Sequence, residues 1–407
     1  MYRVGIVGFG VAGTAAAYLL ARDGHRVTVL ERAPELGPLG AGVLLQRSGQ
    51  EVLRRLGVLE EVTAHAAPLT ELHARHVGGG TLIRTRFTDH TPETRSYGVH
   101  RGVLFNALYQ LVRTQPVDIR IGCEVAGRED TSTGVMLRDA TGRTHGPFDF
   151  VLGADGSRSR TRSICGFPSS IIEYDHGTLW INLPGDGIAL TNPSSKSTSS
   201  GSGAACGKLL QVVEGNRKLF GLLPLGDGLV SLYWGLPVRE FAAVKARGLG
   251  VLKEEIRTFA PEAADLLENI EDFEQFLFTT YRHVHVRRWH DERVLLLGDA
   301  AHAMSPHLGQ GINLALVDAW RFASSLREAS TPAAAFRSFS RKQRAYIRYY
   351  SLITFLLAPF FQSNWRVLGS GRDWTLPVLP HLPWIRRQMI LTVCGVKKGF
   401  FGDEFEV

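Results

Sequence analysis

Gly8, Gly10 and Gly13 stand in the spacing GxGxxG, with Val11 and Ala12 between the last two, directly after the apolar run 2–7. At this spacing the first glycine permits a tight turn, the second lets backbone approach a pyrophosphate, and the third lets a helix lie close on its strand. Free N–H groups at the start of such a helix suit phosphate oxygens. Glu31, followed by Arg32, comes about twenty residues later, where a carboxylate accepts both ribose hydroxyls of an adenosine and repels a 2'-phosphate. Two further apolar runs deliver a carboxylate: 148–153 leads to Asp155 and Gly156, and 293–297 leads to Gly298 and Asp299. Glycines, strand context and Glu31 together specify an adenine-dinucleotide site, without distinguishing FAD from NAD.

The elements that must position these groups follow from periodicity. Residues 2–7 and 26–30 are apolar, and 14–23 are rich in Ala and Leu, which predicts a βαβ unit with two parallel strands and a right-handed crossover. The runs 148–153 and 293–297 read as further strands of the same sheet, whose C-terminal edge is where ligands bind in doubly wound folds. Between them the pattern changes. Runs 178–183, 208–213, 218–223 and 229–236 are short, β-prone and separated by Gly, Pro and Ser turns, predicting an antiparallel sheet in a substrate-facing domain. Residues 192–203 are almost wholly Ser, Gly and Thr, the composition of a mobile surface loop. Beyond Gly311 the pattern is helical, first 312–328 and then, after Pro332, through about Phe361.

The segments LGDAAHAMSPHLGQGINLALVDA (297–319) and GADGSRSRTR (153–162) decide between cofactors. Together with the N-terminal fingerprint and Arg101 they resemble the signatures of the FAD-dependent aromatic hydroxylases related to p-hydroxybenzoate hydroxylase. The resemblance covers most of the first 320 residues. It implies that Asp299, beside Gly298, hydrogen-bonds the flavin ribityl chain. Pro306, Gly309, Gly311, Ile312 and Asn313 would lie in the loop and helix start against the isoalloxazine, where roughly half a positive charge suits a reduced flavin. Arg101 would reach the FAD phosphates, Gly42 and Val43 would lie near the ring, and Arg32 and Val125 would complete the cofactor set. Asp155 and Gly156 match a second fingerprint associated with both FAD and the nicotinamide. The sequence departs from the family at Gln46, Arg47 and Ser48, where a Pro-Asn pair commonly follows the Gln; Arg47 reads as a solvated cation.

The fold implied is α/β: a Rossmann-like FAD-binding domain with a mixed parallel sheet (1–75, 100–170 and 285–345), an inserted antiparallel substrate domain (76–99 and 171–284), and a C-terminal helical, apolar segment (346–407). The activity implied is that of a single-component monooxygenase. NADH or NADPH would reduce FAD, and O2 would then add one oxygen to an aromatic or polycyclic small molecule through a flavin C4a-hydroperoxide. A halogenase or reductase on the same scaffold is the alternative enzyme, though no WxWxIP segment is present. A non-enzymatic FAD-holding module is the third reading. Tyr233 and Trp234 are the candidates to line an apolar substrate pocket, and no residue carries a placed signal as general base. His302 and His307, inside the flavin motif, read as packing or hydrogen-bonding imidazoles.

Composition sets the remaining bounds. The chain has 407 residues, 44% of them hydrophobic, enough for a large core. A formal net charge of +7 comes from dispersed Arg and forms no basic stripe with interleaved aromatics, so no nucleic-acid partner is expected. Cys123, Cys165, Cys206 and Cys394 form no CxxC pair, which fits a reducing cytoplasm. His283 and His285 share a face of a predicted strand near His290, but no carboxylate or cysteine stands at matching spacing and no metal is expected. No apolar run reaches the ~18 residues of a membrane span. The apolar stretch 346–362 and the proline-rich 374–385 are expected to pack across the domain junction and close the substrate cavity, with peripheral membrane contact as the alternative.

Overall fold

The computed structural model describes residues 1–37, 40–185, 207–363, 365–400, 402 and 404. The Ser/Gly/Thr run 192–203 lies outside the described residues.

The glycine fingerprint sits in a five-stranded parallel sheet ordered Val294–Leu296, Phe150–Gly153, Arg3–Val7, Arg26–Leu30, Val117–Arg120. Its three inner strands and Val294–Leu296 are almost continuously buried, the pattern of strands covered on both faces. Helices Val11–Arg22 and Gly311–Glu328 pack on it and on each other. The strand Val117–Arg120 and a separate three-stranded antiparallel sheet, Val125–Thr131, Gly134–Asp139 and Thr144–Phe148, were not anticipated from the sequence.

The second sheet has nine strands. Its order is Leu277–Val286, Ser169–Pro184, Leu229–Pro237, Lys218–Gly226, Gly207–Glu214, Ala66–His76, Ser96–Val99, Val43–Leu45, with Thr81–Arg86 paired to Ala66–His76. Each predicted run of 178–236 falls on one of these strands. The sheet differs from the expectation in two ways. It is antiparallel-rich rather than antiparallel, since Gly207–Glu214 runs parallel to Ala66–His76. It also begins earlier than residue 76, because Val43–Leu45 and Ala66–His76 leave the first sheet and pair here. Local pattern does not show which sheet will take either strand.

Alternation gives this sheet two faces. Leu232, Trp234 and Leu236 pack under the helical layer that includes Leu249–Phe259. Leu209, Leu219, Tyr233 and Leu223 share the other face with Phe361, Ile390 and Leu391 of the C-terminal segment. That segment is helical: Pro332–Phe361 spans 30 residues, followed by Arg366–Thr375 and Pro383–Val393. No helix among the described residues is long and apolar enough to cross a membrane.

The first sheet and its covering helices are joined by buried Asp318. Its carboxylate accepts from the Gly298 N–H (2.8 Å), His302 Nε2 (2.7 Å) and Gln343 Nε2 (2.6 Å). Burial opposes the His302 imidazolium, but the charge and hydrogen bond of Asp318 outweigh it and raise the His302 pKa. The stabilisation is therefore full below the ordinary imidazole value and is lost as pH rises through the raised one. Asp318→Ala is expected to cost about 3–5 kcal/mol. Urea unfolding should show the gap to the parent protein widest in mildly acid solution and narrowing as pH rises.

Candidate active site

The carboxyl edge of the first sheet opens into one continuous cavity of about 1400 Å³ that runs under the second sheet. Seventeen of the sequence-derived cofactor positions line it: Gly8, Gly10, Val11, Ala12, Glu31, Arg32, Gly42, Val43, Arg101, Val125, Asp155, Gly156, Asp299, Pro306, Gly309, Gly311 and Ile312. Tyr233 lines it as well.

At the fingerprint, Gly8 has φ +99° and a Cβ there would stand 2.6 Å from the Ala154 carbonyl oxygen. A Cβ at Gly10 meets nothing within 4 Å. Helix Val11–Arg22 starts with neither a side-chain cap nor an acidic residue in its first turn, and the same holds for Gly311–Glu328. Two helix N-termini thus leave N–H groups and positive dipole ends at one cavity, an arrangement that suits anions. Glu31 accepts from the Phe9 N–H (2.6 Å) and the Ala33 N–H (2.8 Å), which fixes its carboxylate at the strand end with lone pairs to spare for hydroxyls. Arg101 lies across Gly40, its Nη1 2.8 Å from where a Cβ would be. Burial pulls the Arg101 guanidinium below its ordinary pKa, partly offset by Asp299. The Asp299 carboxyl is exposed to the hollow yet lies deep in the molecule, and burial raises its pKa against the opposing charges of His302 and Arg101. Such a carboxyl gains from a polyol that hydrogen-bonds it. These features fit a dinucleotide ending in a flavin: open backbone at Gly10, a fixed carboxylate for ribose, and a desolvated carboxyl farther along.

Four sequence-derived positions do not line the cavity. Gly13 acts in helix packing, a Cβ there falling 2.0 Å from the Gly8 carbonyl oxygen. Gly298 adopts φ +58° and donates to Asp318. Asn313 is fully buried and braces the flavin loop: it accepts from the Gln46 N–H (2.9 Å) and donates to the carbonyls of Leu44 (3.0 Å) and Gly309 (3.1 Å). Trp234 points to the opposite face from Tyr233 and packs edge-on against Phe259 at 5.1 Å, so it is core and not pocket wall. Period-two alternation forbids neighbouring strand residues from sharing a face.

Asp155 lines the cavity, but its oxygens are engaged by the Ser159 hydroxyl and by the Thr161 N–H and hydroxyl, which build the turn into Arg160–Ile164. Arg162 is buried and ties this turn to the Asp299 segment by donating to the Ala300 carbonyl (2.9 Å) and the Ser157 carbonyl (3.0 Å). Gln46, fully buried, braces its own turn, donating to the Leu308 carbonyl and accepting from Gln310. Arg47 is exposed beside His90 and does not reach the cavity. His283 packs on Phe355 while His285 is exposed, so the histidine trio forms no cluster. Among the described residues the metal-like grouping is Cys123, Asp139 and His145. There His145 bridges Asp139 and Arg120, and Asp139 also accepts from the Thr141 hydroxyl, so the donors already serve one another beside a cation.

The sheet side of the cavity holds groups that sequence reasoning did not find. Trp180 lies 5.0 Å from the Tyr233 ring, whose hydroxyl accepts from Gln211 (2.9 Å). Tyr281, His307, Gln362 and Gln388 all line the cavity, and each carries a buried polar atom with no hydrogen-bond partner. The Tyr281 hydroxyl sits near Thr178 and Trp180 without a well-formed bond to either, and burial raises its pKa, so it stays protonated. Burial, with His176 nearby, lowers His307 to about 4, leaving it neutral at ordinary pH. Neither Tyr281, one of several polar residues in the strand Leu277–Val286, nor Gln388, whose relevance depends on where a distant helix docks, carried a signal in the sequence.

The FAD binding domain family matches residues 1–344. The chain belongs to the FAD-dependent aromatic hydroxylase family. It is 30% identical over 321 residues to 6-methylpretetramide 4-monooxygenase of Streptomyces rimosus, covering 77% of this chain and 72% of the relative. It is 30% identical over 355 residues to aurachin C monooxygenase/isomerase of Stigmatella aurantiaca, covering 82% of each. In fold it resembles a Klebsiella pneumoniae HpxO variant solved with FAD, at 20% identity, TM-score 0.80, and coverage of 99% of this chain and 100% of that one. Among the readings left open by the sequence, this hydroxylase family favours an FAD-dependent monooxygenase over a halogenase, a reductase or a non-enzymatic module.

The two glycines separate packing from binding. Gly10→Ala should leave apoprotein stability within about 0.5 kcal/mol, since nothing opposes the methyl group, while weakening FAD binding by roughly tenfold or more through its intrusion on the pyrophosphate path. Gly13→Ala should lower the melting temperature of the apoprotein itself. Calorimetry and flavin-fluorescence titration on both variants read the two effects separately.

Proposed function

We propose that this monooxygenase takes reducing equivalents from NADH or NADPH and places one atom of O2 on an aromatic or polycyclic small molecule. The single observation that carries the reading is the continuity of the cavity, from the free helix start at Gly10, past Asp299, to the Trp180–Tyr233 wall of the second sheet. A flavin held at one end meets a ring held at the other. The relatives act, by their names, on 6-methylpretetramide and aurachin C, which supports a ring-bearing substrate.

In this reading the N–H groups of Val11 and Ala12 and the Arg101 guanidinium hold the FAD pyrophosphate, Glu31 holds the adenosine ribose, and Asp299 holds the ribityl chain. Gly42, Val43, Pro306, Gly309, Gly311 and Ile312 form backbone around the ring system, with the Gly311 helix start stabilising negative charge there. Gly8, Arg32, Val125 and the turn at Asp155 and Gly156 complete the cradle. When bound, FAD supplies hydride acceptance and oxygen activation. The chain's own part is to exclude water and to orient the substrate. Apolar walls at Leu209, Leu223 and Ile353 do the first. The protonated Tyr281 hydroxyl donates a hydrogen bond to a substrate oxygen, and neutral His307 presents its unpartnered Nε2 to the same cavity. The domain division follows the sheets, with the C-terminal helices closing the junction. The described cysteines Cys123, Cys165 and Cys394 are free thiols, in keeping with a reducing cytoplasm.

The test is a screen for compounds that accelerate NADH or NADPH oxidation by the purified yellow protein, with product mass reporting one added oxygen. Asp299→Ala should abolish FAD retention; a variant that stays yellow overturns the assignment. Tyr281→Phe should keep its flavin and lose roughly tenfold in kcat/KM, about 1.4 kcal/mol, the worth of one hydrogen bond.

A further inference from the structure

One row of residues crosses the second sheet on its cavity face. Trp180, Tyr233, Gly221 and Gln211 stand directly opposite one another on the adjacent strands Ser169–Pro184, Leu229–Pro237, Lys218–Gly226 and Gly207–Glu214. Trp180, Tyr233 and Gln211 line the cavity, and Gly221 does not. The Tyr233 side chain accounts for the gap, because it lies down along the row. A Cβ on Gly221 would overlap its Cζ, hydroxyl oxygen and Cε1, and the hydroxyl reaches past that strand to accept from the Gln211 amide (2.9 Å). Standing off the sheet, as strand side chains ordinarily do, the same phenol would project into the cavity.

Space, not backbone conformation, requires glycine at 221. The residue keeps regular antiparallel register with both neighbouring strands and has no left-handed φ. A glycine inside a strand gives up packing and marks a place that another group approaches closely; here that group is the Tyr233 ring. The same device recurs one row along, where a Cβ on Gly235 would meet Nε2 of Gln362, a buried amide that also lines the cavity. The Trp180 ring flanks Tyr233 on its other side, with centroids 5.0 Å apart and planes inclined by 39°. Together the two rings form an aromatic surface wider than one benzene ring, which a fused ring system covers and a single ring does not.

Resting on the monooxygenase reading above, we propose that Gly221 is a specificity-determining residue. By letting Tyr233 lie down on the sheet, it deepens the substrate end of the cavity enough for a planar system of two or more fused rings to stack over Tyr233 and Trp180. A methyl group at 221 lifts the phenol into that space and leaves room for a single ring.

Titration of the oxidised FAD-loaded protein with 2-naphthol and with phenol, followed by the flavin absorbance, tests this. In the parent protein 2-naphthol should bind roughly tenfold more tightly than phenol or better. Gly221→Ala should weaken 2-naphthol by roughly tenfold or more and phenol by less than about threefold, with FAD affinity, read separately by flavin fluorescence, within about threefold of the parent. In a Tyr233→Leu background the atoms that the methyl group displaces are gone, and the same change at 221 should alter 2-naphthol affinity by less than about threefold. Equal losses in both backgrounds, equal losses for both probes, or a yellow parent protein that responds to neither probe overturns the proposal. Tyr233→Leu alone serves where Gly221→Ala fails to fold. It should weaken 2-naphthol by roughly threefold or more through loss of the aromatic surface, and unchanged affinity overturns the proposal as well. A parent protein that takes up no FAD defeats the underlying function, whereas a yellow protein that fails these comparisons defeats the ring-size selectivity alone.

Discussion

How close one helix can come to one strand governs everything built above it. Val11–Arg22 can start where it does because position 13 has no side chain: a methyl group there would overlap the Gly8 carbonyl oxygen. Gly8 in turn holds a left-handed conformation against the Ala154 backbone, locking the first strand to its neighbour at the edge where Asp155 follows. Only with this contact closed do the N–H groups of the helix start face the same space as Glu31 and Asp299. Any widening would separate the N–H groups of that helix start from the Asp299 carboxyl across the cavity.

The sequence announces this part of the molecule because its constraints are local. A GxGxxG run, a carboxylate at a strand end, and Pro332 opening a long helix each act within a few residues, so their types survive as readable patterns. The sheet assignment of Val43–Leu45 and Ala66–His76 was not readable, since which sheet takes a strand depends on partners far along the chain. Tyr233 and Trp234 show the difference within two residues. Both are aromatic in a β-prone run, yet only the register of the whole sheet decides that Tyr233 faces the cavity and Trp234 the helical layer. Asn313 makes the same point in the flavin loop. Its place in a known signature suggested contact with the ring, whereas its amide is fully engaged in holding the loop to the strand at Leu44.

The C-terminal helices are keyed to that loop rather than merely laid over it. Gln310, at the start of the helix Gly311–Glu328, donates to Gln46 and also to the Thr392 carbonyl (3.2 Å), one position short of the end of Pro383–Val393. Tyr346 of the long helix donates to the Gly395 carbonyl (2.8 Å), and a Cβ on Gly395 would collide with Ser48, Gln46 and Gln310. These contacts are buried, where a hydrogen bond is electrostatically stronger than in water. The outer wall of the cavity therefore takes its position from the same residues that brace the flavin loop.

The turn at Gln46, Arg47 and Ser48, where the family usually carries Pro-Asn after the Gln, sits inside this bracing. A proline at 47 would rigidify the turn by itself; here rigidity comes from Gln46 reaching the Leu308 carbonyl and from Gln310 reaching back. Here the buried amides of Gln46 and Gln310 brace the turn, and the C-terminal segment takes part through the Thr392 carbonyl.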